Sequence, residues 1–441
     1  MIQVAQILFI LSVLVVLHEF GHYIAAKIFK VRVEKFYLFM DAGFSLVKKK
    51  IGDTEWGIGW LPLGGYVKLA GMIDESMDTD QMNEEMQPWE FRSKPAWQRL
   101  IIMLGGIIVN VLLAWLIYTV MYTTVGKKYV DTSVLQENGL QFGEVGQNAG
   151  FRNGDKIVSV DGKVQDNFNR MTMDILFSEE VKVNRNGEEV VLNLNDQQIG
   201  EILSKEGKNF IEPRNIGATI DSIAPNSEAI KAGFLIKDSI VSVNGKQIAF
   251  FDEMSAELLK HKSKNIPVVV YRNQKLDTIN TGVSKEGTLG VIIARKIKTD
   301  FLITKKMSIG EAFPAAVKES WALLVYNVKS FKLILRPDTG AYKQVKSPIG
   351  IARVLPDTWN WEFIWNFTAL FSIGLAFMNL LPIPGLDGGH ALFTIVEMIT
   401  GKTLNDKVAG YVQTAGMIIL LTLMALTFGK DIFQLVADKF L

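Results

Sequence analysis

Four long apolar runs are the feature of this sequence that most restricts its fold. A helix needs about 20 mainly apolar residues to cross a lipid bilayer. The runs cover residues 2–26, 100–125, 363–381 and 408–428. The first run opens without the positive charge of a signal peptide, so we interpret it as a retained span. The pattern predicts an α-helical polytopic membrane protein with about four transmembrane helices.

Basic residues near the span ends predict the orientation, because they favour the cytoplasmic side. They cluster at both ends of the segment between the first two spans: Lys27, Lys30, Arg32, Lys35, Arg92, Lys94 and Arg99. This segment is therefore expected in the cytoplasm. The long segment after the second span and the carboxyl terminus are then expected outside, although Lys430 and Lys439 in the tail weakly favour the reverse.

The residue types exclude several kinds of chemistry. The 441 residues contain no cysteine, which excludes disulfides, thiol catalysis and cysteine-ligated metal. The 47 basic and 46 acidic residues nearly balance, so nothing indicates a nucleic-acid surface. A metal site must use the four histidines, carboxylates or other oxygen ligands.

An H-E-x-x-H sequence lies within the first apolar run. His18 and His22 are four residues apart and share one face of a helix, so both imidazoles can bind one zinc ion. Glu19 is then placed to take a proton from a water molecule. An ionisable residue inside a membrane span costs about 2.5–3.5 kcal/mol. Such a cluster is therefore expected to have a function, although polar groups near a span end can also extend to the interface.

A catalytic zinc ion usually has three protein ligands. The third run ends in N-L-L-P-I-P-G-L-D-G-G, in which prolines and glycines interrupt the helix. Irregular backbone at membrane depth is tolerated where it lines a cavity or is buried in protein. Asp387 is the best candidate for the third ligand. His390 competes with it, with a structural role in the loop as the alternative, and His261 receives no role.

An internal repeat occupies the segment between the second and third spans. A-G-F, an aspartate, I-V-S-V and G-K occur at residues 149–163 and again at residues 232–246. Each copy has the turn and strand signals of a β-rich module. The two copies resemble tandem PDZ domains. The first copy has Gly154 where the second has Lys237, so its peptide groove is the less certain one.

Two further segments complete the pattern. Residues 57–68 combine glycines with short apolar runs, which indicates a β-hairpin that dips toward the membrane from the cytoplasmic side. From Phe313, apolar residues recur at helical spacing, which predicts an amphipathic helix lying on the membrane surface or against the outside modules.

Together, H-E-F-G-H in the first span, N-x-x-P-x-P-x-L-D-G in the third span and the tandem modules between them resemble the site-2 protease family. More narrowly, the layout resembles the bacterial RseP-type members, and the likeness covers essentially the whole chain. The resemblance implies an intramembrane zinc metalloprotease in which His18, His22 and Asp387 hold Zn²⁺ and Glu19 is the catalytic residue. It also implies that Asn379 contacts the substrate backbone.

The resemblance further implies a location and partners. The expected location is the bacterial cytoplasmic (inner) membrane, with the PDZ-like domains extracytoplasmic. The expected substrates are single-pass transmembrane proteins, anti-sigma-factor-like proteins or remnant signal peptides, cut after an upstream site-1 protease has acted. The glycine-rich segment is similar to the family's re-entrant β element, and an exposed edge at Gly64, Gly65 and Tyr66 is expected to hold unwound substrate as an added strand.

The predicted domain boundaries follow from these features. They are residues 1–26 for transmembrane helix 1, 27–99 for the cytoplasmic loop with its re-entrant β region, 100–125 for transmembrane helix 2, 126–210 and 211–300 for the two PDZ-like domains, 301–362 for an amphipathic helical linker, 363–390 for transmembrane helix 3, and 391–441 for transmembrane helix 4 and the tail.

Two alternatives belong to other functional classes. A membrane-anchored scaffold that binds peptides through the modules explains the repeat and the spans, but it leaves the polar residues of the apolar runs without a role. A transporter uses polar residues inside the membrane, but four spans without an inverted repeat are few for that class. Bound metal separates the protease from both.

Overall fold

The computed structural model describes residues 2–62, 64–72, 85–132, 137–165, 167–205, 207, 210–294, 302–402 and 406–440. Its α-helices are, in chain order, α1 (Ile2–Ile28), α2 (Ala96–Thr124), α3 (Glu144–Asn148), α4 (Phe168–Phe177), α5 (Asp196–Ser204), α6 (Glu228–Ala232), α7 (Phe251–Leu259), α8 (Ile309–Ile334), α9 (Pro348–Ala352), α10 (Trp361–Leu380), α11 (Asp387–Thr400) and α12 (Asp406–Phe440). Short 3-10 helices cover Phe91–Ser93, Pro337–Thr339 and Ala341–Gln344.

The strands of the described residues lie between these helices. In chain order they are β1 (Val33–Leu38), β2 (Met40–Ile51), β3 (Thr54–Leu61), β4 (Tyr66–Leu69), β5 (Lys127–Val130), β6 (Leu140–Phe142), β7 (Lys156–Val160), β8 (Val181–Arg185), β9 (Glu188–Leu192), β10 (Ile211–Pro213), β11 (Ile220–Ile223), β12 (Ser239–Val243), β13 (Lys246–Gln247), β14 (Asn265–Arg272), β15 (Lys275–Gly282), β16 (Val291–Ile293) and β17 (Leu302–Lys305).

The chain forms two compact units. The helical unit comprises Met1–Lys127, Lys305–Phe331 and Val345–Leu441, and the sheet-rich unit comprises Lys128–Thr304 and Lys332–Gln344. Each unit has its own buried apolar clusters.

Four helical segments of the described chain are long and apolar enough to cross a membrane: Ile2–Ile28, Ala96–Thr124, Trp361–Leu380 and Val408–Ala437. They coincide with the four apolar runs of the sequence. The fold is therefore consistent with a multi-pass membrane protein that also carries β-rich regions.

Helix α8 packs within the helical unit over its first half. Ala312 and Ala316 are fully buried in a cluster formed with residues of α2 and α10. Phe313 and Trp321 lie on its exposed side. The two alanines therefore face the helix bundle, together with the partly buried Leu323 and Leu324.

Strands β1 to β4 form one sheet in the helical unit, in the order β2-β3-β1-β4. β2 and β3 form an antiparallel hairpin, while β1 pairs parallel with β3 and antiparallel with β4. Residues 57–68 therefore do not form a hairpin on their own, because β1 lies between β3 and β4. β1 supplies the buried Val33, Phe36 and Tyr37, and Gly57 leaves space for the Tyr37 ring.

The sheet-rich unit contains two modules with separate cores. The first module has the β7-β8-β9 sheet and the β6–β10 pair, with α3, α4 and α5 packed on them. The second has the β13-β12-β14-β15 sheet and the β11–β16 pair, with α6 and α7. Arg214 links the modules, because it pairs with Asp252 and donates a hydrogen bond to the Asn138 carbonyl oxygen.

The aspartate of each repeat copy makes the same contacts in both modules. Asp155 is 1 % exposed, accepts a hydrogen bond from the Arg152 N–H and pairs with Arg185, whose guanidinium also donates to the Gly150 carbonyl oxygen. The sequence repeat is therefore also a repeat of side-chain contacts.

In the second module the corresponding residues are Asp238, Leu235, Arg272 and Gly233. Burial alone would raise the pKa of Asp238, but the hydrogen bonds from Arg272 and from the Leu235 N–H lower it below its ordinary value. The carboxylate therefore stays ionised inside the module. The assignment of the two modules as PDZ domains remains a prediction.

Candidate active site

Helices α1 and α2 approach each other closely because glycines face each other where they cross. A Cβ atom on Gly21 of α1 would lie 2.3 Å from the Gly105 carbonyl oxygen, and one on Gly105 would lie 2.6 Å from the Gly21 carbonyl oxygen. A Cβ on Gly106 would lie 2.5 Å from atoms of both His18 and His22. The absence of side chains at these positions therefore creates the space that the two imidazoles occupy.

The two histidines face the interior of the helical unit from successive turns of α1. Each is 6 % exposed. The His22 Nδ1 atom lies 2.8 Å from the carbonyl oxygen of Ile102 in α2, which can only accept a hydrogen bond. His22 therefore carries its proton on Nδ1 and presents the lone pair of Nε2.

A break between α10 and α11 brings a carboxylate to the same place. Leu381 is extended because it precedes Pro382, so α10 ends at Leu380. Gly385 has a φ of +90°, and its N–H donates a hydrogen bond to Gln413 of α12. The chain then enters α11 at Asp387.

The glycines after Asp387 allow this loop to fold tightly over the first turn of α11. A Cβ atom on Gly388 would lie 2.2 Å from the Leu381 carbonyl oxygen, and one on Gly389 would lie 2.6 Å from the Ile383 carbonyl oxygen. An ion pair between Arg99 of α2 and Glu397 fixes α11 further along its length.

Three donor atoms converge at the site. The Asp387 Oδ2 atom lies 3.1 Å from His18 Nε2 and 3.3 Å from His22 Nε2. The two Nε2 atoms are 3.4 Å apart. Ligand atoms about 2.0–2.1 Å from one tetrahedral ion are separated by about 3.3 Å. The triangle of donors therefore has the size that a tetrahedral zinc ion requires.

The bonding state of the carboxylate also fits a cation. The Asp387 Oδ2 atom is buried and accepts no hydrogen bond from the residues that the structure describes. A buried, unpaired carboxylate oxygen is costly, and a metal ion between it and two imidazole nitrogens would remove that cost. Two imidazoles and one carboxylate are a common ligand set for catalytic zinc.

Glu19 and Asn379 were also predicted to belong to the site, and each adjoins His18. Glu19 directly follows His18, and a Cβ atom on Gly65 would lie 3.3 Å from the Glu19 Cγ atom. The Asn379 Nδ2 atom lies 3.0 Å from His18 Nε2. Among the described residues, the donor atoms of His18, His22 and Asp387 lie close enough together to hold one metal ion, and His390 does not belong to this group.

His261 lies in the second module of the sheet-rich unit. Its Nε2 atom is 3.2 Å from Glu257 and 3.1 Å from Asn244. These contacts give this histidine local partners within its own module.

The sheet of the helical unit borders the candidate site through β4. A Cβ atom on Gly65 would also lie 2.7 Å from the Val15 side chain of α1. Tyr66, the first residue of β4, stacks on Tyr37 and donates a hydrogen bond to Asp41. Gly64, Gly65 and Tyr66 therefore lie at the start of an edge strand beside α1.

The sequence reasoning missed the contribution of α2. Ile102, Gly106 and Asn110 are spaced four residues apart and share the face of α2 that meets the histidines. The one available signal was Asn110, an amide inside an otherwise apolar run.

Known proteins match the chain over almost its whole length. The family model for peptidase family M50 matches residues 6–423. A provisionally named zinc metalloprotease of Neisseria meningitidis is 28% identical, over 97% of this chain and 98% of that protein. The regulator of sigma-E protease RseP of Escherichia coli is 26% identical, over 98% of this chain and 99% of that protein.

We predict that the Gly106→Ala substitution weakens zinc binding by at least about tenfold, because the added methyl group displaces the imidazoles of His18 and His22, the candidate ligands. Zinc affinity of the purified protein, measured by competition with a chelator, checks this. Gly374→Ala in α10 is the matched control, since a Cβ there meets no atom within 4 Å. Equal affinities in both variants would contradict the prediction.

Proposed function

The chain belongs to peptidase family M50 and is a zinc metalloprotease, and we propose that it cleaves transmembrane segments of single-pass membrane proteins. The observation that carries the proposal is the triangle of His18, His22 and Asp387 donors, 3.1–3.4 Å on each side, beside two helices apolar enough to span a membrane. This arrangement supports an enzyme with several transmembrane helices whose active site lies within the membrane.

In this proposal His18, His22 and Asp387 hold the zinc ion. When bound, zinc polarises the carbonyl group of the scissile peptide and lowers the pKa of a water molecule toward about 7. The His22 contact with the Ile102 carbonyl oxygen keeps the Nε2 lone pair of that ligand directed at the site.

Glu19 is the proposed general base and acid. Its carboxylate accepts the proton of the attacking water and then passes it to the leaving nitrogen. Glu19 is half-buried and adjoins a ligand in sequence, while Gly65 packs against its side chain. This packing holds the carboxylate on the side of α1 that faces the sheet.

Gly64, Gly65 and Tyr66 are the proposed substrate-binding edge. A helical substrate hides its peptide bonds in internal hydrogen bonds, so it must unwind before attack. β4 is an edge strand of its sheet in the described chain and pairs on one side with β1. An unwound segment can add to its other side through main-chain hydrogen bonds, and Gly65, which precedes β4, lies against the Glu19 side chain.

Asn379 is the proposed second contact with the substrate backbone. Its amide lies next to the His18 ligand atom, at the end of α10, where the break leads to Asp387. An amide side chain offers both a donor and an acceptor to one peptide group. It would therefore hold the scissile segment beside the His18 ligand atom.

The proposed physiological role is regulated intramembrane proteolysis. The substrates in this proposal are anti-sigma-factor-like proteins or remnant signal peptides, which a site-1 protease has already cut outside the membrane. The Escherichia coli relative is named as a regulator of sigma-E protease, which supports a substrate of the anti-sigma-factor class. The proposed location is the bacterial inner membrane, with the two modules acting as extracytoplasmic PDZ-like domains.

The Glu19→Gln substitution tests the proposed reaction. We expect cleavage of a trimmed single-pass substrate in membranes to fall by about 10²–10⁴-fold, because glutamine cannot accept the water proton. Bound zinc should be unchanged, since Glu19 is not a proposed ligand. Cleavage at the native rate by this variant would remove Glu19 as the base.

The Asn379→Ala substitution tests the proposed substrate contact. Loss of one hydrogen bond to the substrate backbone should lower kcat/KM by about 2–10-fold, with zinc content equal to that of the native protein. Single-turnover cleavage and metal analysis of the same preparation measure both quantities. If zinc were lost instead, Asn379 would support the metal site rather than the substrate.

We further propose that the two modules exclude substrates whose bulky outer domain has not been removed, and a series of substrates tests this. Folded domains of increasing size are fused to the outer end of a trimmed substrate, and unstructured tails of equal length serve as controls. We expect cleavage to fall as the folded domain grows and to persist with the tails. Cleavage that is independent of the fused domain would contradict a size filter.

A further inference from the structure

The two zinc-ligand histidines of the proposed site contact α2 in different ways. The His22 Nδ1 atom faces a main-chain carbonyl oxygen, which fixes its tautomer. The His18 Nδ1 atom instead lies 3.1 Å from the side-chain amide of Asn110. An amide can present either its oxygen or its nitrogen to the same point, so the contact with Asn110 is compatible with either tautomer of His18.

Amide groups flank both ring nitrogens of His18. The Nδ2 atoms of Asn110 and Asn379 are the atoms that lie near its Nδ1 and Nε2 atoms. A neutral imidazole has a single lone pair for hydrogen bonding, because its other ring nitrogen carries the proton. The two amides therefore cannot both donate to this ring, and one of them must present its oxygen.

The proposed use of Nε2 as a metal ligand identifies which amide that is, because the proton must then lie on Nδ1, the atom that Asn110 faces. Asn110 is 0 % exposed, and its Oδ1 atom has no hydrogen-bond partner among the described residues. Rotating the amide group by 180° exchanges Oδ1 and Nδ2 with almost no change in shape. Oδ1 then accepts a hydrogen bond from a protonated His18 Nδ1, and the Nε2 lone pair is directed at the Asp387 and His22 donors.

We propose that Asn110 is a positioning residue for the metal site: its side-chain oxygen accepts the Nδ1 proton of His18 and so holds the Nε2 atom in its ligand form. This inference rests on the proposed role of His18 as a zinc ligand. Asn110 itself contacts neither the metal nor the substrate, and it acts through the imidazole.

The backbone of Asn110 is fixed independently of its amide. Ser372 of α10 donates a hydrogen bond of 2.7 Å from Oγ to the Asn110 carbonyl oxygen. Ser372→Ala therefore removes a buried hydrogen bond at the same residue without removing the contact with His18. It is the matched control for a purely structural effect on α2.

The experiment compares zinc affinity in the purified full chain for the native protein and for the Asn110→Leu, Asn110→Asp and Ser372→Ala variants. Leucine fills the site but cannot accept the proton, so affinity should fall by about 10–100-fold, the usual effect of removing the partner of a ligand histidine. Aspartate accepts only, so the Asp variant should bind zinc at least as tightly as the native protein. Ser372→Ala should match the native affinity.

Nitrogen NMR of histidine-labelled protein provides the second measurement. The native protein and the Asp variant should show His18 protonated at Nδ1, with Nε2 as the zinc ligand, whereas the Leu variant should lose this single form. The chain has four histidines, so the His18 signals must be assigned. In the zinc-free protein they are the signals that the His18→Gln variant lacks. A zinc titration then follows these signals to the zinc-bound protein.

The outcomes separate this inference from the function on which it rests. Native affinity in the Leu variant, or a Leu-like loss of affinity in the Asp variant, would overturn the role of Asn110 while leaving the metal site in place. Absence of zinc binding by the native protein would instead overturn the proposed metal site. If the Leu variant fails to fold, the Asp variant and the tautomer of the native protein still decide the question.

Discussion

The close contact of α1 with α2 is the constraint on which the rest of the helical unit depends. Gly21, Gly105 and Gly106 let two backbones touch where ordinary side chains would hold them apart. This contact buries His18 and His22 and at the same time supplies them with polar partners from α2. Imidazoles in apolar helices are costly when left unpaired. The packing of α1 against α2 must therefore also provide polar partners for both histidines.

The sequence predicted those features that depend on one segment of the chain alone. The apolar runs predicted four long helices, H-E-x-x-H predicted two imidazoles on one face, and the prolines before Asp387 predicted a helix break. The structure places α10, the broken segment and α11 in that order, and α10 ends at Leu380, within the predicted segment 363–390 and one residue before the end of the apolar run. These features follow from local rules of length, periodicity and proline geometry.

Features that arise between segments could not be predicted in the same way. The contacts of Ile102 and Asn110 with the histidines depend on which face of α2 meets α1, and an almost uniformly apolar helix shows little of that face beyond Asn110 itself. Likewise, residues 57–68 carry turn signals for a hairpin, but β1 is inserted between β3 and β4. The repeat was visible, whereas its ion pairs were not, because 30 residues separate aspartate from arginine in one module and 34 in the other.

The proposed role of β4 in substrate binding has a consequence for substrate choice. An edge strand binds the main chain of an incoming segment, and side chains of that segment contribute where pockets receive them. In an enzyme with this arrangement, selection falls on how readily a segment leaves its helical form. Glycine, asparagine and β-branched residues lower helix propensity, so the intrinsic helical stability of a membrane segment, rather than a consensus sequence, would determine which proteins are degraded.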